Sequence, residues 1–267
     1  AAVAAFSMLR KGVTAYKKKA LKLTMAILLL FSFLTALAGD TSAKFLAEHQ
    51  PEKLAAAEWH FETEKGADLI FLGWLNAERD IIGAIHIPKA LSFLAFSDFN
   101  AEVKGLNEFP ADEQPSLIVH YMFDFMVGIG FALLAVSAFY FLLTFRKKRS
   151  ELNKWMLRVI ALGAPLAFLG VEMGWFYAEI GRQPWMIRGY LRVADAATTS
   201  PSIMPLFFVF LLLYILLGTL CVLVLRRLFR DNPAEVEFEK IAKTKQEALD
   251  AEKSSARPAQ EEGEPSV

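Results

Sequence analysis

The sequence predicts an all-α protein: a polytopic transmembrane helix bundle with four complete spans and one partial N-terminal span. Three observations carry this expectation. The chain is 55% hydrophobic over 267 residues, with 23 Phe and a mean hydropathy of +0.34, too apolar for an ordinary soluble domain. Its apolar residues gather in runs on the order of 20 long, enough to cross a hydrocarbon core. Basic residues cluster at the ends of those runs, while the formal net charge is zero. With no global field to draw it, nucleic acid is not expected as a partner.

Residues 1–20 read as the end of a truncated helix, Ala1 to Leu9, followed by a basic loop containing Arg10, Lys11 and Lys17-Lys18-Lys19. Residues 21–39 form the first complete span, in which Ser32 and Thr35 are tolerable because hydroxyls bond to the preceding turn. From 40 to 117 the composition becomes mixed, and the stretch is too long for a simple connection. Its beginning, Pro51 to His60, favours a helix, since Pro suits a first turn and alanines propagate it. Ala84 to Phe96 is apolar, broken by Pro88, and lacks the length of a span, so an interfacial position is expected.

Residues 118–145 form the second span and 146–154 a basic loop opening with Arg146-Lys-Lys-Arg149. The third span covers 155–178, with Pro165 as a kink, and 179–200 is a loop. The fourth covers 201–225 and holds Cys221, the one cysteine, which excludes a disulfide framework or a thiolate metal site. Residues 226–267, a Glu/Lys-rich tail, are expected to be partly disordered. If each span crosses once, the basic clusters at 10–19, 146–149 and 226–230 share one side. The positive-inside rule makes that side, with the C-terminus, cytoplasmic. The 40–117 and 179–200 segments then share the outer face.

The stretch that organises the chain is Val171 to Trp185. Glu172, Trp175 and Glu179 are spaced by three and four, so they share one helix face. Ionisable groups at such depth usually mark a site. Gly181 and Pro184 should end the helix, Gly by a left-handed exit and Pro by lacking a donor. Residue type alone leaves alternatives open. Glu179 reads equally as a snorkelled surface carboxylate, Trp175 as an interfacial belt aromatic, Met126 as packing, and Lys53 and Glu58 as two solvated charges. Glu172 reads as a buried proton-handling group or a hydrogen-bonded structural one, and His120 as an interfacial histidine.

Gly174 to Trp185, GWFYAEIGRQPW, followed by GYLRVADA from Gly189, resembles the signature of subunit I of the cytochrome bd-type quinol oxidases. The resemblance implies an axial ligand of the high-spin haem b at Glu179, a tryptophan among the haems at Trp175, and a partner for the haem carboxylates at Arg182. Phe123-Asp-Phe-Met-Val127 resembles the family motif whose thioether ligates the low-spin haem b, which implies Met126 as that ligand. Asp124 departs from members with arginine there. Lys53-Leu-Ala-Ala-Ala-Glu58 resembles the start of the family's quinol-binding Q-loop, here residues 40–117 in the shorter form, and implies Lys53 and Glu58 in quinol oxidation.

On this resemblance the chain is expected to serve a terminal respiratory oxidase in the bacterial cell (inner) membrane. Quinol would be oxidised at the outer face, and oxygen reduced to water through two b haems and haem d, or a further haem b in its place. Proton release outside and uptake inside would generate proton motive force. Implied partners are subunit II, small single-span subunits and the missing N-terminal part of subunit I. The family's histidine ligands lie in earlier spans, and none of His49, His60, His86 or His120 sits in a matching motif. The chain thus reads as the C-terminal portion of that subunit. The alternative is a non-enzymatic membrane subunit or an ion-conducting transporter segment, whose carboxylates would bind an ion.

Overall fold

In the computed structural model, which describes residues 1–76, 78–146 and 153–255, helices follow the apolar runs and then overrun them. Ala2–Lys11 (α1) ends at Gly12. Ala15–His49 (α2) starts at Thr14, whose hydroxyl accepts from the Lys17 backbone N–H at 3.4 Å, a side-chain cap of the usual kind. Nothing between Asp40 and His49 breaks this helix. Lys44 pairs with Asp40 one turn back at 2.6 Å, and the helix stops at Gln50, just before Pro51, as the restriction on residues preceding proline requires. The extramembrane segment therefore departs from the helix ten residues later than the composition change at 40 implied.

Val119–Arg146 (α5) and Lys154–Ile180 (α6) are the next long helices. They lie together along a seam of small residues. A Cβ on Gly170 would stand 3.1 Å from Ile129 Cγ2, and one on Gly174 would stand 2.8 Å from Met126 Sδ. Pro165 lies within α6. Ala5, Met8, Leu21, Met25, Tyr140, Met156, Leu157 and Ile160 form one buried cluster tying α1, α2, α5 and α6. The opposite faces are apolar and exposed, as with Leu30, Phe31 and Leu37 on α2 and Phe168 and Val171 on α6. Water would penalise that exposure; hydrocarbon does not. The expected helical class stands, with four helices long and apolar enough to cross a membrane.

Between α2 and α5 the chain builds a small domain. Pro51–Ala57 (α3) comes first, then a nested set of antiparallel pairs. Glu64–Lys65 (β1) pairs with Glu102–Val103 (β6), Leu69–Phe71 (β2) with Ile85–Ile87 (β5), and Trp74–Leu75 (β3) with Ile81–Ile82 (β4). Ala90–Phe96 (α4) fills the gap between β5 and β6. The apolar stretch 84–96 is thus a strand and a helix divided by Pro88. Gly73 has φ +119, and a Cβ there would lie 2.8 Å from that of Ala84, so only glycine lets β3 and β4 close. Ala47, Leu54, Ala67, Leu91, Ala95 and Val103 form the core of this domain. A second core joins Ala55, Ala56, Ala57 and Leu106 to Val119 and Tyr177, seating α3 on the N-terminal end of α5 and the C-terminal end of α6.

After α6 comes a hairpin of Trp185–Ile187 (β7) and Leu191–Arg192 (β8), then the short Val193–Ala196 (α7). Arg188 in its turn grips Glu52 with two hydrogen bonds of 2.6 and 2.7 Å and donates to the His49 carbonyl at 2.6 Å. Residues 199–267 form a separate unit. It contains Ile203–Asp231 (α8), apolar on every face, and the charged Ala234–Ser255 (α9), with Pro233 between them. Residues 147–152, with most of the basic 146–149 cluster, and tail residues 256–267 lie outside the described residues.

Candidate functional site

The last two turns of α6 and the α3 helix meet at one junction, and the side chains singled out in the sequence divide around it. Lys53 lies along the end of α6. Its Nζ is 3.5 Å from the Ala178 carbonyl and 4.7 Å from the centroid of the Tyr177 ring. A cation at a helix C-terminus is electrostatically favourable. Gly181 makes the approach possible, because a Cβ there would stand 2.8 Å from Lys53 Cε. Its φ of −69° is right-handed, so the left-handed exit expected of it does not occur; close approach is what uses the glycine. Burial pushes the Lys53 ammonium below its ordinary range, the Arg182 guanidinium adds to this, and Glu179 opposes it.

Glu58 follows the last residue of α3 and is 1% exposed. Burial, and next the neighbouring Asp124, push its carboxyl up to about 8, against a backbone hydrogen bond from Ile70. Oε1 has no protein partner. Lys53 and Glu58 are therefore not the solvated charges that residue type allowed. Both are buried, and both address Tyr177, Lys53 over the ring and Glu58 through electrostatic interaction with the hydroxyl.

Glu179 and Arg182 form an ion pair one turn apart, each about two-fifths exposed (40% and 43%). Trp175 is exposed, as is Glu172, which is therefore not the buried proton-handling group that was one of its two readings. Glu172, Trp175 and Glu179 share one face of α6 by their spacing of three and four, turned away from the seam that Gly170 and Gly174 make with α5, and Arg182 follows just beyond the helix end. Met126 is on that seam, its sulfur against Gly174. Lys53 thus comes to the Glu179–Arg182 end of α6, while Met126 lies deeper, between α5 and α6.

Three side chains join the site that the sequence did not assign to it. Tyr177 carries no signal beyond its place among aromatic residues. His120 and Asp124 carried one that went unused: an acid and a base four apart on an apolar helix. His120 is fully buried, stacked on Trp59 with ring centroids 3.9 Å apart. Its Nδ1 meets the Ala57 carbonyl at 2.6 Å and its Nε2 lies 3.3 Å from Asp124 Oδ2. Asp124 Oδ2 also accepts from the Leu72 backbone N–H at 2.6 Å.

Among the described residues no three His, Cys, Asp or Glu side chains gather to hold a bare metal ion. A porphyrin iron asks the protein for only one or two axial donors. The Glu179 carboxylate and the Met126 thioether have the lone pairs to supply them. Arg182 and Arg188 line a cavity of about 180 Å³ beside Gly181, Gln183 and Trp185, and guanidinium forks suit anionic groups such as porphyrin carboxylates. In residue type these donors are ones that a haem can use.

The model of the family described as cytochrome bd terminal oxidase subunit I matches residues 1–233. Among curated proteins, the putative cytochrome bd menaquinol oxidase subunit I of Bacillus subtilis is 42% identical over 243 residues, covering 89% of this chain and 55% of its own length. The cytochrome bd ubiquinol oxidase subunit 1 of the same organism is 31% identical over 237 residues, covering 83% and 50%. Among solved structures, the bd oxidase from Geobacillus thermodenitrificans matches with a TM-score of 0.77 and 47% identity, over 87% of this chain and 54% of the other. The chain spans about half the length of the relatives it matches.

Proposed function

This chain belongs to the cytochrome bd terminal oxidase subunit I family, and on that premise we propose that it forms part of a quinol:oxygen oxidoreductase, a multi-pass membrane enzyme that oxidises quinol at the outer face. Subunit II, the remaining half of the relatives' length and small single-span subunits are its proposed partners, and the C-terminus is proposed to be cytoplasmic. The observation that carries the reading is the α3–α6 junction: Lys53 and Glu58 are both buried there, against the helix end that bears Glu179 and Arg182.

Quinol gives up two protons as it gives up two electrons. An ionised Glu58 takes one of those protons, and a carboxyl titrating near 8 is matched to work close to neutral pH. Lys53, poorly solvated over Tyr177, stabilises the anionic oxygen that appears as the proton leaves. Glu179 and Met126 would hold the high-spin and low-spin b haems, with Trp175 beside them and Arg182 at a haem carboxylate. When bound, the b haems and a haem d, or a further haem b, supply one-electron transfer and oxygen reduction. Glu52 and Arg188 brace α3 against the hairpin after α6, so the quinol residues and the ligand-bearing helix keep one spacing.

Reduced-minus-oxidised spectra of the assembled oxidase test the ligand assignments. Glu179→Ala should remove the high-spin b signal and spare the low-spin one, and Met126→Leu should do the reverse. A Glu179→Ala oxidase with an intact high-spin b signal sinks the assignment.

A further inference from the structure

We infer that His120 is a positioning residue for quinol oxidation: its imidazole fixes the turn that ends α3 and thereby holds the Glu58 carboxyl in place. The inference rests on the reading of Glu58 as the proton-accepting group.

The last carbonyls of a helix have no partner within it. In α3, the Leu54 carbonyl takes the Glu58 N–H at 3.0 Å and the Ala55 carbonyl takes the His60 N–H at 2.9 Å. The Ala57 carbonyl, immediately before Glu58, is met by His120 Nδ1 at 2.6 Å. A carbonyl only accepts, so Nδ1 carries the hydrogen. On the other side of Glu58, Trp59 turns out of the helix with φ 49°. Its indole stacks on the same imidazole at 3.9 Å and 24°, and its Nε1 donates to the Leu117 carbonyl at 3.0 Å. Both neighbours of Glu58 are therefore tied to one ring.

That ring is itself held. It is 0% exposed, and Asp124 Oδ2, anchored by the Leu72 N–H, lies 3.3 Å from Nε2. Tyr121 closes the cluster edge-on to Trp59, at 5.0 Å. A phenylalanine would fill the same space and stack as well. What the imidazole adds is a hydrogen bond to the backbone beside Glu58, which holds the turn from which the carboxyl projects towards the Ile70 N–H.

The test uses the assembled oxidase and a water-soluble quinol, with turnover expressed per haem b. His120→Phe keeps the stacking and loses the Ala57 bond. His120→Gln can reach Asp124 but not Ala57. His120→Asn places an amide nitrogen where Nδ1 stands. Expected are falls in kcat of at least about tenfold for the Phe and Gln variants, with KM within about threefold and haem b spectra unchanged, and recovery of most turnover in the Asn variant. The infrared carbonyl band of the protonated Glu58 carboxyl, assigned by its loss in Glu58→Gln, should shift in the Phe variant and return in the Asn variant. In the Glu58→Gln background, His120→Phe should cost nothing further.

Wild-type kcat together with an unshifted band in His120→Phe overturns the proposal. So does an active Gln variant beside an inactive Asn variant, which would route the effect through Asp124. If His120→Phe fails to assemble, the contrast between Asn and Gln decides alone. Full turnover in Glu58→Gln sinks the reading of Glu58 instead, and a His120 loss persisting in that background shows that the histidine acts by another route.

Discussion

Replacing Glu58 by Gln isolates the physical state of one buried carboxyl. Its ordinary value is 4.5 and the folded site pushes it to about 8, so at about 1.4 kcal/mol per pH unit ionising it in place costs about 5 kcal/mol more than ionising a free carboxyl. At pH 7 roughly one molecule in ten carries the base form. The kcat/KM for quinol in the wild-type oxidase should therefore rise about tenfold between about pH 7 and pH 9, passing half its plateau near 8. Glu58→Gln should be slow and flat over the same range, which also corrects for autoxidation of the quinol. Stability moves the opposite way. Because the folded carboxyl holds its proton more tightly than the unfolded one, the stability this confers is complete below about pH 4.5 and is lost as pH rises through about 8. Thermal unfolding in detergent should show wild type losing ground to Glu58→Gln across that window. A wild-type kcat/KM that does not rise between pH 7 and 9, or identical pH dependence of unfolding in the two proteins, refutes the argument.

Two further outcomes follow from close contacts. Gly174→Ala places a Cβ 2.8 Å from Met126 Sδ, and relieving it should cost about 1–3 kcal/mol and shift or abolish the low-spin b signal while the high-spin signal persists. Unchanged spectra would show that Met126 does not depend on the seam. Gly105→Ala is more severe, since its Cβ would collide with the Phe61 carbonyl oxygen and the Glu62 carbonyl carbon, both backbone atoms. It should loosen the domain between α2 and α5 by about 3 kcal/mol or more, read as faster proteolysis between residues 60 and 105; an unaltered digestion rate would argue against the clash.

The four long helices were legible because an apolar run of about 20 residues states its own environment. Their ends were not. Asp40 and Lys44 read as the start of a loop, yet charged residues four apart sustain a helix once it leaves the lipid. The paired strands of the domain between α2 and α5 are two or three residues long, too short for an alternating pattern to appear. At the site, residue types and family motifs picked out Lys53, Glu58, Met126, Glu179 and Arg182, but not who meets whom. Lys53 reaches a carbonyl 125 positions away, and such a contact leaves no local trace. The burial of His120 is equally invisible in the sequence, because Trp59, from the turn after α3, is what covers its ring.

The concentric pairing of the outer domain separates its length from its job. Residues added between Leu75 and Ile81 would lengthen the innermost loop, a modest entropic cost for a surface excursion, and leave the outermost closure at Lys65 and Glu102 where it is. Chains of very different length could then keep one closed base, with growth confined to a spout that never disturbs the vessel.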